Sequence, residues 1–88
     1  MSLLTQAVRQ SPRFWQAYQY RGELYVRQRE SWDAALQDFT EAIRLAPNES
    51  HLYELRAKVH SLLGDDRSAQ RDSERAAALR EPLRPDQE

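Results

Sequence analysis

Apolar positions along this chain recur at helical spacing almost from end to end. Leu3, Leu4, Ala7 and Val8 share one face of a segment from about Ser2 to Gln10. Phe14, Ala17, Tyr18, Leu24 and Tyr25 make a stripe over about Pro12 to Arg29, with Gly22 inside it. Trp32, Ala35, Leu36, Phe39, Ala42, Ile43 and Ala46 fall at intervals of three and four, the cleanest amphipathic pattern present. Leu52, Tyr53, Ala57, Val59, His60 and Leu63 mark a fourth segment, about Glu49 to Leu63. Ala69, Ala76, Ala77 and Leu79 give a fifth, about Asp66 to Arg80, with a small inward face. No apolar/polar alternation persists for more than a few residues, so five helices and no strands are predicted.

Punctuation agrees with this division. Ser11-Pro12 ends the first segment and opens the second, because proline is tolerated in the first turn of a helix. Ser31 is the expected N-cap of the third helix. Pro47-Asn48-Glu49-Ser50 separates the third from the fourth. Gly64 suits the residue just past the fourth helix, and Asp65 or Asp66 the cap of the fifth. Residues 81–88, with two prolines and little to bury, are predicted to be a disordered tail.

A fixed period runs through these segments. Ala7, Ala42 and Ala76 are 35 and 34 residues apart, and Pro12, Pro47 and Pro82 are 35 and 35 apart. Self-similarity at this interval marks a stacked array of helix pairs. It divides the chain into a half repeat (1–11), a repeat (12–47), a second repeat (48–80) and the tail (81–88).

The second and third helices resemble a tetratricopeptide repeat, whose pattern is W-x2-L-G-x2-Y, then A-x3-F, then P. Here it reads Tyr18-x2-Arg21-Gly22-x2-Tyr25, Ala35-x3-Phe39, Ala42 and Pro47. A decayed copy follows: Tyr53-x2-Arg56-Ala57-x2-His60, Ala69-x3-Ser73 and Ala76. The first helix is similar to the second half of a preceding repeat. The expected fold is therefore all-α, an α-solenoid of about two and a half repeats over residues 1–80.

Two departures from the pattern carry information. The loop Arg29-Glu30-Ser31 is one residue longer than usual and lacks glycine, which accounts for intervals of 35 and then 34. Arg21 and Arg56 replace leucine at inward positions, and a buried arginine needs a carboxylate. Asp38 and Asp72 stand 17 and 16 residues further on, at matching places. Arg21–Asp38 and Arg56–Asp72 pairs are predicted to bridge the helices of each repeat.

The resemblance also implies a binding surface. In such repeats the first helix of each pair lines a concave face. The groove residues it implies are Gln16, Gln19, Glu23, Val26 and Arg27 from the second helix. From the fourth they are His51, Glu54, Lys58, Ser61 and Leu62. Small residues at Gly22, Ala35, Ala42, Ala57, Ala69 and Ala76 are expected to let the helices approach closely. The clamp with which some relatives grip carboxylate tails wants Lys or Asn where Gln19, Glu23 and Glu54 stand, so it is not expected here. A helix or an extended peptide fits the groove better.

Composition removes other function classes. With 13 basic and 14 acidic residues the net charge is −1, so no whole-chain field draws nucleic acid or acidic lipid. There is no cysteine, and His51 and His60 lie nine apart on opposite sides of one helix, so no metal site is expected. His60 takes an aromatic core place and is expected to be packed and hydrogen-bonded. No glycine-rich phosphate loop or nucleophile elbow is present, and nothing points to a cofactor or to catalysis. Arg67, Arg71 and Arg75 form a ladder at four-residue spacing, interleaved with Asp72 and Glu74, and read as a solvated face. Trp15 and Tyr20 do not both fit the inward stripe, so one of them is expected either to be exposed, marking a contact site, or to cover the N-terminal end of the stack.

The N-terminus has neither a basic start nor a long apolar stretch, and no run approaches the ~20 residues that span a bilayer. A cytoplasmic protein that binds a protein or peptide partner is expected. The alternative is homodimerisation through the N-terminal half repeat, whose Leu3, Leu4 and Val8 lack a neighbour on one side. A third possibility is that the chain is a piece of a longer array.

Overall fold

The computed structural model describes residues 14–81, and the expected first helix, the half repeat and the tail from 82 onward lie outside them. The described residues form four helices: α1 (Trp15–Val26), α2 (Trp32–Leu45), α3 (Ser50–Leu62) and α4 (Asp66–Arg80). Each packs on the next in sequence, and α1 also touches α3. Connections this short turn the chain back on itself, so neighbours run antiparallel.

The boundaries follow local chemistry. The second expected helix was to reach Arg29, but α1 stops at Val26. Its last turn tightens, with Arg27 and Gln28 amides donating to the Leu24 and Tyr25 carbonyls. The Val26 carbonyl is taken by the Trp32 indole N–H at 3.0 Å. The long loop residues Arg29–Ser31 then form a 3-10 turn. Ser31 occupies the N-cap position of α2 but makes no capping bond; its hydroxyl donates instead to Gln28 Oε1 at 3.3 Å. Phe14, expected in the inward stripe, is the N-cap residue of α1 and is 49% exposed.

The second pair keeps its expected punctuation. Gly64 has φ +84°, the left-handed conformation that glycine adopts without a Cβ clash. Asp65 caps α4, its carboxylate accepting from the Ser68 amide at 3.2 Å. Hydrogen bonding from the Ser68 side chain, and then from its amide, holds the Asp65 carboxyl below its ordinary pKa. The Tyr53 hydroxyl donates to the Pro47 carbonyl at 2.9 Å, tying α3 to the loop before it.

The core has two clusters. One joins Ala42 and Ile43 of α2 to Leu52 and Tyr53 of α3 and Ala76 of α4. The other joins Ala35 and Phe39 of α2 to Val59 of α3. All six small residues expected at helix contacts are buried. Gly22 shows why one must be glycine: a Cβ there would lie 2.7 Å from Cε1 of Phe39. In the second pair Ser73 replaces the ring and is exposed, and Ala57 fits where Gly22 stood.

Both predicted ion pairs are present and bidentate. Arg21 donates to Asp38 at 2.8 and 2.7 Å. Arg56 donates to Asp72 at 2.7 and 2.8 Å. Asp38 and Asp72 are the only buried charged residues among the described ones, each 4% exposed. Hydrogen bonding to the carboxylate raises the pKa of each arginine above its ordinary value, against the opposing effect of burial. Aromatic rings flank the guanidinium groups: Tyr18 and Tyr25 at 6.0 and 5.9 Å from Arg21, and Tyr53 at 5.8 Å from Arg56.

Candidate functional site

The face shared by α1 and α3 carries the expected groove residues, and the structure brings most of them together. At one end Gln19 Oε1 lies 3.1 Å from His51 Nε2, a hydrogen bond across the two helices. The Trp15 ring packs against the same histidine, 5.8 Å between centroids. Glu49 Oε2 stands 3.7 Å from His51 Nδ1 on the outer side.

At the other end Glu23 and Val26 of α1, Arg27 just past its end, and Leu55 and Lys58 of α3 line a cleft of about 200 Å³. Val26 and Leu55 are half-buried and form an apolar floor, while Arg27 and Lys58 are exposed at its rim. Two cations against one carboxylate leave this end with a local charge of about +1. Such a cleft offers apolar contact to a side chain and charge to an acidic neighbour of it. It holds no nucleophile–base pair.

The remaining expected residues do not line this cleft. Glu54 is committed to an ion pair with Arg80 of α4. Gln16 is half-buried, and Ser61 and Leu62 are exposed near the end of α3. One lining residue escaped the sequence reading. Leu55 sits four residues after His51 and three before Lys58, a spacing that places it in the middle of the α3 stripe. It was assigned neither to the core stripe nor to the groove, and it also touches both core clusters.

The other constellations resolve as follows. His60 is largely covered, with Nε2 3.6 Å from Asp72 Oδ2 and Nδ1 3.9 Å from Asp65 Oδ2. It is packed as expected, but those carboxylates stand beyond hydrogen-bond length. Arg75, expected on a solvated face, places its guanidinium 6.0 Å from the Tyr53 ring. Tyr20 is the exposed aromatic, at 53%, while Trp15 packs on the core. Among the described residues no cluster of His, Asp and Glu could hold a metal ion, and no helix is long and apolar enough to cross a membrane.

The chain matches no protein-family model, and no curated protein matches it at a significant level.

Proposed function

We propose that this chain is a non-catalytic protein–protein interaction module of the tetratricopeptide type, acting in the cytoplasm. Its α1/α3 face receives a peptide or partner helix. The observation that supports this reading best is the pair of matching Arg–Asp bridges, Arg21–Asp38 and Arg56–Asp72. They give the two helix pairs the same internal arrangement, and the first helix of one pair touches the first helix of the other. The Gln19–His51 bond and the cleft over Val26 and Leu55 both span that junction. A helical or extended ligand with an apolar side chain for the floor and an acidic neighbour for Arg27 and Lys58 suits it.

The test is a displayed peptide library selected on the purified chain, followed by amide chemical-shift mapping of each selected peptide. Shifts concentrated on Gln19, Val26, Arg27, Leu55 and Lys58, and affinity lost in Leu55→Glu that remains folded, would support the groove. Selected peptides that shift only α2 and α4 would refute it.

A further inference from the structure

The α1/α3 face has a direction as well as a composition. Gln19 meets His51 at one end, and Glu23, Val26 and Arg27 meet Leu55 and Lys58 at the other. Residue numbers rise the same way on both helices, so α1 and α3 run parallel. Their last residues, Val26 and Leu62, therefore fall toward the same end of the groove, the one with Arg27 and Lys58. Each helix C-terminus carries a partial negative charge.

The charges along the groove are graded too. Arg27 and Lys58 make no ion pair among the described residues, whereas Arg44 is held by Glu41 and Arg80 by Glu54. The one carboxylate that shares their cleft is Glu23. At the far end Glu49 stands beside His51, and the Trp15 ring packs on the same histidine.

The floor between these ends favours a helix over an extended segment. An extended backbone needs outside partners for its amides and carbonyls. Val26 and Leu55 have only apolar side chains to offer, and Gln19 and His51 are already bonded to each other. A helix satisfies its own backbone and asks the groove for side-chain contact alone.

We infer that the ligand is a helix running antiparallel to α1 and α3, with acidic residues in its first turn. This rests on the α1/α3 face being the binding site. The ligand's N-terminus, the positive end of its dipole, then lies against the C-terminal ends of α1 and α3. Asp or Glu in that turn pairs with Arg27 and Lys58 and also suits the ligand's own helix. An apolar residue one turn later covers Val26 and Leu55. His51 and Lys58 are seven residues apart, as are Gln19 and Val26, which is about 10 Å of helix. A residue two turns beyond the acid therefore reaches the Trp15/His51 end, where Lys or Arg faces Glu49. An acid, an apolar residue and a base, each one turn apart, make the recognised face.

The probe is a synthetic helix of roughly 14 residues with Glu in its first turn, Leu one turn on and Lys one turn beyond. Its control has the same sequence in reverse order. Each carries a nitroxide at its N-terminus and is titrated into the isotope-labelled full chain, up to about 1 mM. The forward helix is expected to bind about tenfold tighter than the reversed one. Its label should broaden the amides of Arg27 and Lys58 and spare those of Gln19 and His51. Arg27→Ala/Lys58→Ala, at two exposed positions, should erase the preference. Broadening at Gln19 and His51 instead would overturn the direction and leave the groove standing. Equal affinity for the two sequences, or no shift with either, would overturn the inference. Failure of the groove itself is read separately, from where the library-selected peptides bind.

Discussion

Replacing Arg21 with leucine is expected to destabilise the chain severely, although leucine is apolar and helix-favouring. The reason is what it leaves behind. Asp38 is 4% exposed and receives both of its charge-assisted bonds from Arg21, at 2.8 and 2.7 Å. Removing one partner of a buried pair costs about 3–5 kcal/mol. The Arg21 side chain keeps 19% of its surface exposed, so water reaches the site and the loss belongs at the low end of that range, about 3 kcal/mol. Domains of this size are stable by only roughly 5–10 kcal/mol, so this is a large share of the whole. It corresponds to a fall in Tm of roughly 12–24 °C, at about 4–8 °C per kcal/mol. The companion variant Arg21→Leu/Asp38→Leu removes both charges and lets apolar side chains fill the gap. It should recover most of the loss, since apolar replacement of a buried pair is often neutral or stabilising. Urea titrations followed by circular dichroism measure all three differences. A single variant that loses less than about 1 kcal/mol would refute the reasoning. So would a double variant as unstable as the sum of its singles, because the pair would then carry no coupling.

Gly22→Ala should lower stability by about 1 kcal/mol: strain of about 1–3 kcal/mol from a Cβ against the Phe39 ring outweighs a helix gain of about 1. An increase in the urea midpoint would show that the ring yields freely. Gly64→Ala meets no neighbouring atom within 4 Å, so its cost, read from urea titration, is confined to the left-handed backbone, about 1–2 kcal/mol. A neutral result would mean that the loop adopts another conformation. The acid limb of stability should report Asp65. Its folded pKa is lowered, so its contribution is present above the ordinary carboxylate value and is lost as pH falls through the folded value. Tm measured below about pH 4 should therefore fall less steeply in Asp65→Asn than in the parent chain. The arginine pairs act at the other extreme. With folded pKa values raised, their stabilisation is complete below the ordinary arginine value and disappears only in strong alkali, so Tm should not fall between about pH 5 and 9 on their account.

The helices and the two ion pairs were legible in the sequence because they depend on spacing. An apolar stripe at three and four selects a helix wherever it occurs. An arginine at an inward position demands a carboxylate, and only Asp38 and Asp72 stood at matching places in both repeats. Gly64, and a cap at Asp65 or Asp66, were legible for a similar reason, since left-handed backbone and an unpaired helix N-terminus each have few chemical solutions; the structure chose Asp65. Tertiary structure decided what depended on competition between neighbours. α1 ends at Val26, where the last turn tightens and the Trp32 indole, six residues away, takes the Val26 carbonyl. Ser31 was drawn to Gln28 rather than to the helix it precedes. Leu55, placed in neither the inward stripe nor the groove, touches the core and floors the cleft, because α1 and α3 lie close enough for one side chain to serve both. Local pattern determines which residues turn inward on a helix. Only the distance between helices, set here by Gly22 under the Phe39 ring and by two buried bridges, determines which of them meet.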